Sequence, residues 1–127
     1  MIDHVSIAVS DLSAATRFYE AVLGVIGYAA LDVRGSTVGF GKTYSEFWLN
    51  ARPEMAPLPA HPGAHICLRV RSTDLVDAFY AAALAGGGAS DGAPRLRPHD
   101  GERGYYAAFI RDLDGNRIEA VTFVPKT

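Results

Sequence analysis

HVSIAVSDLSAATRFYEAVLG, residues 4–24, reads as a strand running into a helix, and its pattern returns 61 positions later. Val5, Ile7 and Val9 fall on one face of the strand, with His4, Ser6 and Ala8 on the other. Ser10-Asp11 offers a helix N-cap. Leu12, Ala15, Phe18, Tyr19, Val22 and Leu23 follow at helical spacing, and Gly24 supplies a stop. His65, Val70, Phe79, Tyr80, Ala82 and Leu84 then repeat His4, Val9, Phe18, Tyr19, Ala21 and Leu23 without a gap. A register kept from strand through helix marks an internal duplication.

The flanks complete each copy. Residues 26–33, 36–41 and 45–51 read as three short strands, with Gly35, Gly39, Gly41 and Lys42 near the turns. ARPEMAPLPAHPGA (51–64) holds four of the seven prolines and reads as a linker. In the second copy, the glycine-rich and charged excursion over 86–104 includes RLRPHDGERG (95–104), expected to be a solvated loop. Strands at 105–111 and 117–124 follow, joined by the turn signal LDGN at 113–116. Each half is thus β-α-β-β-β, and the whole is α+β, with eight strands curled around a concave site. The expected organisation is one domain over 1–127: module 1 about 1–52, linker 53–63 and module 2 about 64–125.

Side-chain parity identifies that site. Phe47 and Leu49 face one way, and Glu46, Trp48 and Asn50 the other. His65 shares a face with Cys67 and Arg69, and Glu119, in GNRIEAV (115–121), shares one with Arg117, Val121 and Phe123. This second set is too polar for a core. Two imidazoles and a carboxylate converging from three strands, His4, His65 and Glu119, would make a metal site. Trp48 reads as an aromatic wall and Cys67 as a small lining residue, and Tyr105, in parity with Phe109, would present a phenol to substrate. Arg69 and Arg117 read either as rim residues or as binders of a substrate carboxylate. Asp114-Gly115-Asn116 reads as turn chemistry.

Composition narrows the partners. A net charge of −2 gives no electrostatic reason to expect nucleic acid or an anionic membrane. The lone Cys67 excludes an internal disulfide and fits a reducing compartment. No apolar run approaches membrane-span length, and the N-terminus enters a strand pattern with no signal peptide. A cytoplasmic protein is expected, with homodimerisation through exposed strand edges as the default assembly.

HVSIAVSDLSAATRFYEAVLG, GAHICLRV (63–70) and YYAAFIRDLDGNRIEAV (105–121) together resemble the vicinal oxygen chelate superfamily of glyoxalases, bleomycin and fosfomycin resistance proteins and extradiol dioxygenases. The resemblance implies paired β-α-β-β-β modules curled around a divalent metal (Fe, Mn, Zn, Ni or Co) that chelates adjacent oxygens of a small substrate. It places His4, His65 and Glu119 at three ligand positions. The fourth position holds Trp48, which cannot ligate, with Glu46 two residues earlier on the same face. Two histidines and one carboxylate suit Fe(II) with open positions, so dioxygenase-like chemistry is expected ahead of glyoxalase-like isomerisation. Glu46 and Tyr105 are the catalytic candidates, and Trp48, Asn50, Cys67, Tyr105, Phe109 and Arg117 the substrate-binding ones. The alternative is a non-catalytic binding or resistance protein of the bleomycin-resistance type, in which Trp48, Phe109 and Tyr105 sandwich a small molecule.

Overall fold

Alternation and helical spacing produce the first elements where they are expected. In the computed structural model, which describes residues 1–126, β1 spans Val5–Val9 and α1 spans Leu12–Gly24. Asp11 caps α1 by accepting the Ala14 N–H at 3.0 Å, which satisfies an amide that a helix start leaves unpaired. The chain then forms β2 (Ala29–Val33), β3 (Thr37–Gly41) and β4 (Phe47–Ala51). The second module repeats the plan with β5 (Ile66–Arg69), α2 (Thr73–Ala85), β6 (Ala89–Arg97), β7 (Gly104–Arg111) and β8 (Arg117–Val124). Ser72 caps α2 as Asp11 caps α1.

The sheets run β1-β4-β3-β2 and β5-β8-β7-β6, each mixed, curved and not closed into a barrel. The first strand of each module lies parallel to its last. The duplication holds to the residue: Val5 pairs with Phe47 and, 61 positions on, Ile66 pairs with Ile118. The α+β fold of two β-α-β-β-β modules is therefore the one expected.

One expectation is corrected. Residues 95–97 are not loop but the end of β6, and the connection to β7 is only 98–103. Gly92, at φ 152°, and Pro94 interrupt this strand, and its register to β7 shifts on both sides of Gly92. Bulges and a proline are tolerated because β6 is an edge strand with one neighbour, and they erase the period-2 signal. Gly39 and Gly41 lie in β3, within the strand read over 36–41. A Cβ on Gly41 would stand 1.8 Å from the Tyr44 carbonyl oxygen, so the tight β3–β4 connection presses directly on the strand.

α1 and α2 pack on each other, and each covers one face of its own sheet. Tyr19, Leu23, Phe40, Phe47, Phe79 and Ile110 belong to one apolar cluster spanning both modules, fully buried or nearly so. Neither helix is long and apolar enough to cross a membrane. The two helices pack on each other between the modules, and the sheet faces turned away from them carry no helix.

A polar clamp ties the modules together. The Tyr19 hydroxyl donates to Asp112 Oδ2 at 2.6 Å, and Asn116 Nδ2 donates to the same oxygen and to the Ala8 carbonyl, each at 2.9 Å. The Asp114 and Asn116 amides donate to Asp112 Oδ1, and the Ser10 amide donates to Asp114 Oδ2 at 3.0 Å. Burial pushes the Asp112 carboxyl above its ordinary range, while the Tyr19 and Asn116 hydrogen bonds pull it back.

A carboxyl with a raised folded pKa favours the fold at pH below the ordinary carboxylate range. That contribution is lost as pH climbs through the raised value. The Tyr19 hydrogen bond opposes the loss because it stabilises the ionised form. Tyr19→Phe should cost about 1–3 kcal/mol at pH 7, a drop of several degrees in Tm, and distinctly less at pH 4. Thermal melts at the two pH values check this, and equal losses would refute the coupling to Asp112.

Candidate functional site

The open face of the second sheet gathers most of the candidate residues. Strand register sets Cys67 opposite Glu119 across β5 and β8, and Phe109 opposite Glu119 across β7 and β8. Glu119 is 3% exposed, and both of its oxygens are engaged. Oε1 lies 3.0 Å from His65 Nε2, and Oε2 accepts the Tyr105 hydroxyl at 2.5 Å. His65 stands just before β5, its ring centroid 6.3 Å from that of Phe109.

The electrostatics keep the neighbouring acids protonated. Desolvation first, and the hydrogen bond to Glu119 second, push the Tyr105 phenol well above its usual value. Cys67 keeps surface at the cleft, yet desolvation, followed by the Glu119 charge, pushes its thiol up to about 12. Its Sγ lies 3.9 Å from the Tyr105 hydroxyl. At neutral pH this face therefore presents a phenol and a thiol, not a phenolate or thiolate.

His4 and Glu46 stand outside the hydrogen-bonded group around Glu119, though close to His65. They line a cleft of about 330 Å³ along the seam between β1 and β5, together with Tyr28, His65 and Cys67. The His4 ring is exposed, with Nδ1 2.7 Å from Asp3 Oδ2. Burial, then the hydrogen bond to Glu46, pushes Tyr28 up to about 12. A second seam cleft of about 530 Å³ runs along β1 beneath the linker, lined by Leu58, Pro62, His65 and Arg117.

Trp48 and Asn50 occupy the open face of the first sheet. Ser6 pairs with Trp48 as Cys67, 61 positions on, pairs with Glu119, so Trp48 holds the register place of the carboxylate. Its indole lies over Gly39, where a Cβ would approach Trp48 Cε3 to 3.0 Å, and the Arg34 guanidinium sits 5.1 Å from the ring centroid. The first module has a flat aromatic surface where the second has an acid.

Arg117 shares the open face with Glu119, but its Nε donates to Asp91 Oδ2 at 2.7 Å. Arg111 donates to the other oxygen of Asp91 at 3.1 Å. Burial alone would raise Asp91, but hydrogen bonds from Arg117 and Arg111 outweigh it and hold the carboxyl below its usual range. Sequence parity missed Asp91, Arg97, His99 and the stacking role of Phe123. Arg97 places its guanidinium 5.2 Å from the Phe109 ring centroid and donates to the Ala93 and Ala107 carbonyls. Recognition of β6 as a strand would have exposed Arg97, which pairs with Tyr105.

The donor set fits a divalent ion in part. The 3.0 Å between His65 Nε2 and Glu119 Oε1 matches the roughly 3 Å between neighbouring donors that each lie about 2.1 Å from a common ion. Among the described residues, no group of three His, Cys, Asp or Glu side chains in one chain is close enough to hold an ion. Within the described residues the observed arrangement is this pair, His65 beside Glu119.

Comparisons with known proteins agree with this architecture. The model of the glyoxalase/bleomycin resistance protein/dioxygenase superfamily matches residues 1–120. A virulence protein of Salmonella typhimurium is 31% identical over 126 residues, covering 97% of this chain and 84% of that protein. A glyoxalase/bleomycin resistance protein from Albidiferax ferrireducens is 28% identical, with a TM-score of 0.81 over 94% of this chain and 96% of that one. A fosfomycin resistance protein from Listeria monocytogenes shares the fold at 17% identity and a TM-score of 0.67, over 96% and 92% of the two chains. With the paired modules, the shared register and a family match over nearly its whole length, the chain belongs to the glyoxalase/bleomycin resistance protein/dioxygenase superfamily.

Proposed function

We propose that the protein is a small cytoplasmic metalloenzyme of the glyoxalase/dioxygenase type. It binds a divalent ion through His4, His65 and Glu119 and acts on a small substrate with adjacent oxygens. The observation that carries this reading is the His65–Glu119 pair, with donor atoms 3.0 Å apart on an open sheet face. When bound, the ion supplies Lewis-acid polarisation of the substrate oxygens.

The chain's own residues do the positioning. Tyr105 holds Oε2 of Glu119 and so leaves Oε1 directed at His65. Its raised pKa keeps it a hydrogen-bond donor across the physiological range. Phe109 gives the substrate a flat apolar wall, and Cys67 a small neutral one. Trp48 in the register place of Glu119 removes the second carboxylate that glyoxalase-type proton transfer would use. Two histidines and one carboxylate leave open positions, which favours dioxygenase-like chemistry.

The third donor comes from a second copy in this reading. Among the described residues the open faces of the two sheets do not pack on each other, so each lacks an opposing wall within the chain. A homodimer that sets the first module of one protomer against the second module of its partner would bring His4 to the partner's half-site.

A second reading rests on the stacked cations. Arg34 over Trp48 and Arg97 over Phe109 make flat, polarisable surfaces suited to sequestering a compound without chemistry. Metal content of the purified protein separates the two readings, since a stoichiometric ion supports the enzyme.

His65→Ala and Glu119→Ala should each abolish stoichiometric metal uptake, measured by elemental analysis, with the far-UV spectrum retained. Full occupancy in either variant would remove that residue from the ligand set. Mixing His4→Ala chains with Glu119→Ala chains should restore about a quarter of wild-type occupancy, because statistical heterodimers carry one intact composite site in two. No recovery after confirmed subunit exchange would place the site within one chain. Turnover of the methylglyoxal–glutathione hemithioacetal should be negligible with Ni, Co or Zn added, and robust turnover would show that Glu46 replaces the missing carboxylate.

A further inference from the structure

Beyond the Glu119 row, the open face of the second sheet turns cationic. Arg69 lies two residues past Cys67 on β5, pairs with Val121, and holds its guanidinium 4.7 Å from the Phe123 ring centroid. Arg103, just before β7, donates from Nη2 to the Phe123 carbonyl at 3.0 Å. Phe123 meets Tyr105 edge-on at 5.3 Å, and the His99 ring lies 5.0 Å from Tyr105. Lys126 pins the loop that carries His99 and Arg103, donating to the His99 and Gly101 carbonyls at 3.0 and 2.8 Å. Two adjoining clefts of about 400 and 240 Å³ share Arg69, Arg103 and Phe123 as walls.

This charge is not balanced locally. Among the described residues neither Arg69 nor Arg103 pairs with a carboxylate, whereas Arg111 and Arg117 both pair with Asp91. Arg71 adds a further cation to the larger cleft, and Glu102 is the one acid lining the smaller. Guanidinium groups beside an aromatic floor suit a planar anion, whose charge meets the fork while its ring stacks on the aromatics. The spacing sets its length. Arg69 lies two residues along the strand from the Cys67–Glu119 row, and Phe123 lies four from Glu119. At roughly 3.3 Å per residue this spans about 7–13 Å, the reach of a six-membered ring with a short acidic chain.

We propose that Arg69 and Arg103 bind the carboxylate of an aryl carboxylic acid whose ring lies on Phe123 and Tyr105 and whose oxygenated end reaches His65 and Glu119. Only the last clause rests on the metal-site reading. Carboxylate recognition itself needs no ion.

The test uses 3-(3,4-dihydroxyphenyl)propanoate and its uncharged primary amide, titrated calorimetrically into the full-length protein after EDTA treatment and again after cobalt loading. The acid should bind about tenfold more tightly than the amide without metal, the margin expected of one charge-assisted hydrogen-bonding partner. Arg69→Gln and Arg103→Gln should each shrink that preference. Arg52→Gln, an exposed arginine of the first module, should leave it unchanged. Equal affinities for acid and amide in the wild type, or a preference that survives both variants, would overturn the proposal. A preference that persists while cobalt uptake fails would sink the metal reading and leave the anion site standing. Cobalt uptake with no preference would sink the anion site alone.

Discussion

A buried hydrogen bond between a phenol and a carboxyl, Tyr19 to Asp112, holds the two halves of this protein in register. Apart from the hydrogen bonds of this clamp, the modules are joined by an irregular linker and by apolar packing, which is non-directional and sets no angle. Asp112 accepts four hydrogen bonds from Tyr19, Asp114 and Asn116, and Asn116 in turn reaches the Ala8 carbonyl near the end of β1. The β7–β8 turn is thereby fixed against the first strand of the other module. Removing a partner from such a network leaves a buried polar group unsatisfied, so the geometry is strongly specified. The seam cleft that His4 and His65 both line depends on that angle.

The two open faces have diverged on a common frame. Trp48 and Glu119 occupy the same register place in the duplicated unit, and Ser6 and Cys67 face them. One face is flat, aromatic and backed by the close approach at Gly39; the other carries an acid held by His65 and Tyr105. At this register place the chemical difference lies in the side chains, because the pairing of first and last strands is the same in both modules.

Much of this was legible because strand parity is a local signal. Phe47 and Leu49 are buried while Trp48 is only partly so, and the His65–Glu119 pair forms as the alternation implies. The clamp was not legible. LDGN does make the turn it advertises, with Gly115 at φ 92°, but Tyr19 lies 93 residues from Asp112 and reads as one more apolar position of a helix. A hydroxyl's partner leaves no trace in periodicity. β6 was hidden for the opposite reason, since its bulges and Pro94 destroy the very alternation by which a strand is recognised. His4, like His65, stands one residue before its strand, but an adjacent carboxylate competes for its ring, which turns to Asp3.

The parallel pairing of first with last strand in each module has a kinetic consequence. Val5 meets Phe47 across 42 residues, and Cys67 meets Glu119 across 52, so neither module can register its first strand by local contacts. The β2–β3 and β7–β8 hairpins can form early, because their loops are short. Closure then costs the loop entropy of most of a module before any parallel hydrogen bond repays it. Such non-local pairing slows folding relative to a chain held by local contacts. Glu119, on the closing strand, reaches Cys67 and His65 only at that late step.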